Sequence, residues 1–164
     1  MTDKENAARA LLSCFLEKGL TFAAAESCTG GMIGETVTAL PGSSQVFLGG
    51  VVSYANSVKE NVLGVKGDTL ARHGAVSRET ALEMAEGVRR LTGADIAVSV
   101  TGIAGPGGGT AEKPVGTVCF GVSDKDGAET MRVQFGETLT REEIRCAAAE
   151  YALRLALSRA NGDK

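Results

Sequence analysis

The chain has 164 residues, enough for one ordinary domain that buries a core without disulfides or metal clips, and its net charge of −3 excludes a broad phosphate-neutralising face of the kind nucleic acid requires. Cys14, Cys28, Cys119 and Cys146 are widely spaced and His73 is the lone histidine, so clustered zinc ligands are lacking. No apolar run is long enough for a signal peptide or a membrane span, so the expectation is a cytoplasmic protein with reduced thiols, bound to neither membrane nor metal.

From Asn6 to Lys18 apolar residues recur at helical spacing, and Gly19 stands where a left-handed C-cap belongs. Leu20 to Ala25 is a short apolar run suited to a buried strand; it leads into Glu26-Ser27-Cys28-Thr29-Gly30-Gly31 and a helical stretch to about Leu40. After the break at Pro41-Gly42, Val46 to Tyr54 reads as a second strand, and Asn56 is placed to cap a short helix from Ser57 to Leu63. Ser77 is an N-cap for a long helix with Ala81, Leu82, Ala85, Val88 and Leu91 on one face, closed by Gly93. Ile96 to Val100 is a third strand that runs into a glycine-rich loop from Thr101 to Gly109.

Val115 to Val122 and Glu129 to Phe135 flank Asp126-Gly127, a turn signal for an antiparallel hairpin, so the sheet is mixed. Thr140-Arg141-Glu142-Glu143 has the form of a capping box and starts a last helix reaching about Ser158. The order predicts an α/β fold, a three-layer α/β/α sandwich with a mixed, mostly parallel sheet of about five strands, in one domain over residues 1–164. The Ser27 turn, the segment from Tyr54 to Lys59 and the Thr101 loop all follow strand carboxyl ends, where ligands gather in such sheets.

A serine on a sharp strand-to-helix turn can expose its hydroxyl while free backbone N–H groups face a developing oxyanion. Ser27 meets that description, with the amides from Cys28 to Gly31 as donors; the alternative is that Ser27 or Thr29 only caps the helix. Cys28 lacks a neighbour that would lower its pKa, and His73 lies at the fraying end of a short helix, so serine is preferred as nucleophile and histidine reads as structural. Lys59, in the first turn after Asn56, is a candidate base, feasible if burial and the helix dipole lower its pKa by about three units from about 10.4; a solvated surface lysine is the alternative. Arg141 and Arg145 share a face at the start of the last helix and could hold an anion such as phosphate, or pair with Glu137 or Glu142. Thr101 either presents its hydroxyl to a ligand or is an ordinary strand-end threonine. The 102–109 loop fits neither the nucleoside triphosphate nor the dinucleotide glycine fingerprint.

Read together, Ala25-Glu26-Ser27-Cys28-Thr29-Gly30-Gly31, Tyr54-Ala55-Asn56-Ser57-Val58-Lys59, His73-Gly74-Ala75-Val76-Ser77, Thr101-Gly102-Ile103-Ala104-Gly105-Pro106 and Glu112-Lys113-Pro114-Val115-Gly116-Thr117-Val118 resemble the CinA C-terminal domain family over nearly the whole chain. Stand-alone members that resemble this chain are nicotinamide mononucleotide deamidases, so the resemblance implies hydrolysis of that nucleotide to nicotinic acid mononucleotide and ammonia, a pyridine-nucleotide salvage step without cofactor or metal. It implies a Ser27 and Lys59 dyad with Tyr54 orienting the lysine or touching the pyridine. It also implies substrate contacts from Thr29, Gly30, Gly31, Asn56, Thr101, Gly102 and Gly105; phosphate contacts from Arg141 and Arg145 follow more from their place at the helix start than from the motif match. The chain departs from the family pattern at Ala55, Gly107 and the stretch from Gly136 to Arg141. The larger N-terminal domain of full-length CinA proteins has a separate activity, which is not carried over. A non-catalytic nucleotide-binding or interaction module linked to competence and DNA damage is the competing expectation, and an amidase of other range a third; the Gly-rich edges are compatible with a homo-oligomer.

Overall fold

In the computed structural model, which describes residues 1–163, five strands form one mixed sheet in the order β2-β1-β3-β4-β5. The strands are β1 (Phe22–Glu26), β2 (Phe47–Val52), β3 (Ile96–Gly102), β4 (Thr117–Asp124) and β5 (Gly127–Gln134). β1 pairs in parallel with β2 and β3, whereas β4 runs antiparallel to both β3 and β5. Among the described residues six α-helices accompany them: α1 (Asp3–Lys18), α2 (Met32–Thr38), α3 (Asn56–Leu63), α4 (Gly67–His73), α5 (Arg78–Thr92) and α6 (Arg141–Ala160). This is the expected α/β architecture.

Burial on both faces explains why β1 reads as an unbroken apolar run. Its side chains alternate: Phe22 and Ala24 join Leu11, Phe15, Ile33 and Leu153 beneath α1, α2 and α6, while Ala23 and Ala25 join Leu63, Met84 and Val88 beneath α3 and α5. The helix boundaries follow their caps. α1 starts earlier than its apolar periodicity indicates because the Thr2 side chain and Glu5 form a capping box; Ser77 caps α5 through Thr80 N–H, and the Thr140 and Glu143 box starts α6 as expected.

Several expectations are corrected. Asn56 does not cap α3: it is the first helical residue, and Ala55 occupies the cap position without a side-chain bond. Leu91 is exposed rather than on the buried face of α5, because Met84 and Gly87 lie on that face instead. Thr101 and Gly102 belong to β3, paired with Cys119 and Val118, so the loop begins two residues later at Ile103. The hairpin loop is Lys125-Asp126, with Gly127 already paired to Asp124, whose carboxylate accepts the Asp126 N–H in a local turn.

Candidate functional site

The carboxyl ends of β1, β2 and β3 bring Ser27, Tyr54, Lys59, Thr101, Gly105 and Arg141 around one cavity of about 280 Å³. Ser27 follows β1 directly, and its N–H donates to the Val100 carbonyl at 2.9 Å, which keeps the turn on the line of the sheet. Gly30 and Gly31 then take left-handed backbone angles (φ 60° and 104°) that reverse the chain into α2, a conformation costly for other residues. Neither lines the cavity.

Lys59 lies a turn inside α3, and helical side chains lean toward the N-terminus, so its stem runs back past Ala55. Its Nζ is held by the carbonyls of Ser53 (2.7 Å) and Tyr54 (3.2 Å) and lies 3.1 Å from Ser27 Oγ. The residue is 1% exposed, and among the described residues no carboxylate pairs with it. Burial accordingly pushes its ionisation below the ordinary lysine range. The one opposing influence is the Cys28 thiolate, and burial pushes that thiol up to about 11, so it is protonated near neutral pH. A neutral lysine has two N–H donors and one lone pair. Both carbonyls accept from Nζ, and Ser27 Oγ is its third partner.

The same burial makes Cys28 an unreactive thiol although it lines the cavity. Cys28→Ala is therefore expected to leave any turnover at this site within about threefold of the wild type; a loss as large as that of a Ser27 variant would transfer the nucleophile's role to sulfur.

Of the amides from Cys28 to Gly31 that the sequence offers as oxyanion donors, Gly30 N–H is taken by the Ser27 carbonyl (3.1 Å). Glu26 is buried, and its carboxylate accepts the N–H groups of Ile33 (2.9 Å) and Gly34 (3.2 Å) and the Thr29 hydroxyl (2.7 Å), while Met32 N–H donates to the Thr29 carbonyl. Glu26, not Ser27 or Thr29, thus caps α2. The amides of Cys28, Thr29 and Gly31 donate to no backbone carbonyl among the described residues, and of these three residues Cys28 lines the cavity. Glu26→Ala would leave three donors unpaired, two of them buried, at a cost of about 2–4 kcal/mol. Thermal melts should show that loss, and Glu26→Gln, which keeps one acceptor oxygen, should recover part of it.

Other predicted contacts divide. Thr101 is buried and its hydroxyl donates to the Ala75 carbonyl at 2.8 Å, so it lines the cavity while fixing the Ala75 to Val76 segment, which also forms part of the wall. Gly102 and Gly105 line it as well. Arg141 sits at the mouth, donating to the Gly105 carbonyl (2.6 Å) and the Tyr54 hydroxyl (3.2 Å). Tyr54 contributes its carbonyl to Lys59 and its exposed ring to the rim. Arg145 is not at the cavity: its guanidinium donates to the carbonyls of Cys28 (3.0 Å) and Thr29 (3.1 Å), fastening α6 to the Ser27 turn. Thr29 is buried against Glu26, and Asn56 is exposed on α3; neither lines the cavity. His73 ends α4 beside Glu79 (3.8 Å), away from Ser27. A second cavity of about 610 Å³, lined by the 106–111 loop, Glu137 and Leu139, shares Ala104, Gly107, Gly108 and Arg141 with the first.

An α/β sheet presenting a serine and an unpaired buried lysine at its strand ends defines the class. The profile of the CinA C-terminal domain matches residues 4–160, and the chain belongs to that family. It is 55% identical to a CinA-like protein of Thermotoga maritima over 133 residues (81% of this chain, 32% of the relative) and 52% identical to one of Synechococcus sp. over 151 residues (92% and 36%). The chain therefore spans about a third of the length of these relatives. Among solved structures it is similar to the competence/damage inducible protein CihA of Agrobacterium tumefaciens (TM-score 0.93, 44% identity, 98% and 97% of the two chains). It is also similar to the competence damage-inducible protein A of Klebsiella pneumoniae (TM-score 0.92, 34% identity, 98% and 98%).

Proposed function

We propose that the chain hydrolyses the carboxamide of nicotinamide mononucleotide to nicotinic acid mononucleotide and ammonia, with Ser27 as nucleophile and Lys59 as its base. The observation that carries this reading is the Lys59 amine, buried without a carboxylate and 3.1 Å from Ser27 Oγ. In that environment the neutral amine takes the hydroxyl proton as Oγ attacks the amide carbon. The Cys28 amide, on the residue that follows Ser27 and lines the cavity, is the donor offered to the oxyanion. The Lys59 ammonium returns its proton to the leaving nitrogen, which departs as ammonia, and an acyl ester on Ser27 remains. Water, deprotonated by Lys59, then cleaves the ester and frees the carboxylate and the Ser27 hydroxyl. The chemistry calls on no metal or organic cofactor.

Arg141, whose exposed guanidinium stands at the mouth, is the group for the substrate phosphate; Arg145 is withdrawn from that role because its donors hold the turn. The test is incubation of the purified protein with nicotinamide mononucleotide, reading both products. Equal release of nicotinic acid mononucleotide and ammonia supports the reading. A raised melting temperature with the nucleotide intact would instead favour the non-catalytic module that the relatives' competence and damage names leave open.

A further inference from the structure

Arg145 stands behind the turn that carries Ser27 rather than in the cavity in front of it. Its Nε donates to the Cys28 carbonyl at 3.0 Å and its Nη2 to the Thr29 carbonyl at 3.1 Å. The side chain is half-buried, and among the described residues no carboxylate lies within 4.0 Å of it. Two neutral oxygens therefore hold the guanidinium in place without cancelling its charge. A tether between α6 and the turn would need no charge at all, since a neutral amide or hydroxyl also donates to carbonyls.

The Thr29 carbonyl is one end of a series of peptide groups. In a trans peptide the N–H points opposite to the C=O, and the peptides of this turn are trans. The carbonyl that Arg145 holds thus shares its peptide with Gly30 N–H, which donates to the Ser27 carbonyl at 3.1 Å. The Ser27 carbonyl in turn shares its peptide with Cys28 N–H. That N–H donates to no backbone carbonyl among the described residues, and Cys28 lines the cavity. A cation, two peptide groups and a free N–H stand in series, and hydrogen bonds in such a chain polarise one another.

We propose that Arg145 is a positioning residue for the reaction at Ser27, acting through the Thr29–Gly30 and Ser27–Cys28 peptides to fix and polarise the Cys28 N–H as oxyanion donor. This role rests on the proposed function in taking Ser27 as nucleophile and Cys28 N–H as donor, and not on which amide is cleaved. As Oγ adds to the amide carbon, the carbonyl electron pair moves onto oxygen, and charge grows where the N–H is offered. Arg145 touches neither substrate nor reacting atoms. It makes the donor more positive before the reaction begins, so its removal lowers kcat and leaves KM nearly unchanged.

Two variants separate charge from tether. Arg145→Lys keeps the charge, Arg145→Gln keeps a neutral N–H donor, and both residues are good helix formers within α6. The probe is an alkyl fluorophosphonate, which needs no nucleotide. Ser27 Oγ forms a bond to its phosphorus, the P–F bond breaks with loss of fluoride, Lys59 takes the hydroxyl proton, and negative charge grows on the phosphoryl oxygen. Labelling is followed by intact mass, with Ser27→Ala as the blank, at a temperature where every variant is folded; Arg145→Met replaces Arg145→Gln if the latter melts early. Labelling should slow by about tenfold in Arg145→Gln and by no more than about threefold in Arg145→Lys. In turnover of nicotinamide mononucleotide kcat should fall in the same order, with KM within about threefold of the wild type. If the nucleotide stays intact while labelling keeps this order, the role of Arg145 stands and the assigned amide falls. Wild-type labelling in Arg145→Gln, equal losses in the lysine and glutamine variants, a rise in KM alone, or a wild type not labelled at Ser27 would overturn the proposal.

Discussion

Lys59→Met is expected to abolish all but a residue of turnover, lowering kcat roughly 10³- to 10⁴-fold, the scale set by removing a positioned base. The fold should survive. Methionine replaces the four-carbon stem in a site that is already buried, and removing an amine that burial disfavours as a cation offsets part of the loss at the Ser53 and Tyr54 carbonyls. The wild-type rate should rise with pH as Lys59 sheds its proton, at a pH below the ordinary lysine range, because desolvation lowers its ionisation. Stability follows the same group. An unfolded chain binds that proton more tightly than the folded one, so folding gains with pH from the lowered folded value up to about 10.4, and is penalised below the folded value. Lys59→Met should remove that rise. Wild-type rates in the folded variant would end the case for the lysine as base.

Gly87→Ala is expected to cause a large loss of stability. α5 crosses α3 so closely here that an added Cβ would overlap the Leu63 carbonyl, which is backbone and has no rotamer by which to withdraw. Alanine gains about 1 kcal/mol over glycine in a helix interior. Separating two packed helices costs more, about 2–4 kcal/mol net, because contacts around Leu63, Met84 and Val88 are lost together. For a chain of this size the melting temperature should fall by roughly 5–15 °C. Because α3 carries Lys59, kcat should fall with it at temperatures where the variant is still folded. A melting temperature equal to or above the wild type would show that the helices separate freely.

The parts of the molecule legible in the sequence were those governed by local rules. Ser77, Gly93 and the Thr140 box mark helix ends through bonds to their own neighbours, and the short apolar run before Ser27 suits a strand buried on both faces, as β1 is. The Ser27 and Lys59 pairing was proposed from a turn, a helix start and a family resemblance; the 3.1 Å approach depends on β1 and β2 being adjacent in parallel, which no local signal carries. Glu26 escaped notice because a glutamate closing a strand usually faces solvent, whereas here its carboxylate replaces the cap of a helix starting six residues later. Spacing four apart suggested one anion for Arg141 and Arg145, yet one turn of α6 separates the cavity mouth from the underside of the Ser27 turn. Ala75 and Val76 carry no chemistry of their own and enter the wall only through the Thr101 bond.

The most direct test of the account is the release of nicotinic acid mononucleotide and ammonia from nicotinamide mononucleotide by the wild type and by Ser27→Ala, assayed side by side with both shown to be folded. The account predicts equimolar release by the wild type and a fall of at least about 10⁴-fold in the variant, the scale on which loss of a nucleophile is felt. Comparable release by both proteins would contradict Ser27 as the nucleophile, and release by neither would contradict the assigned reaction.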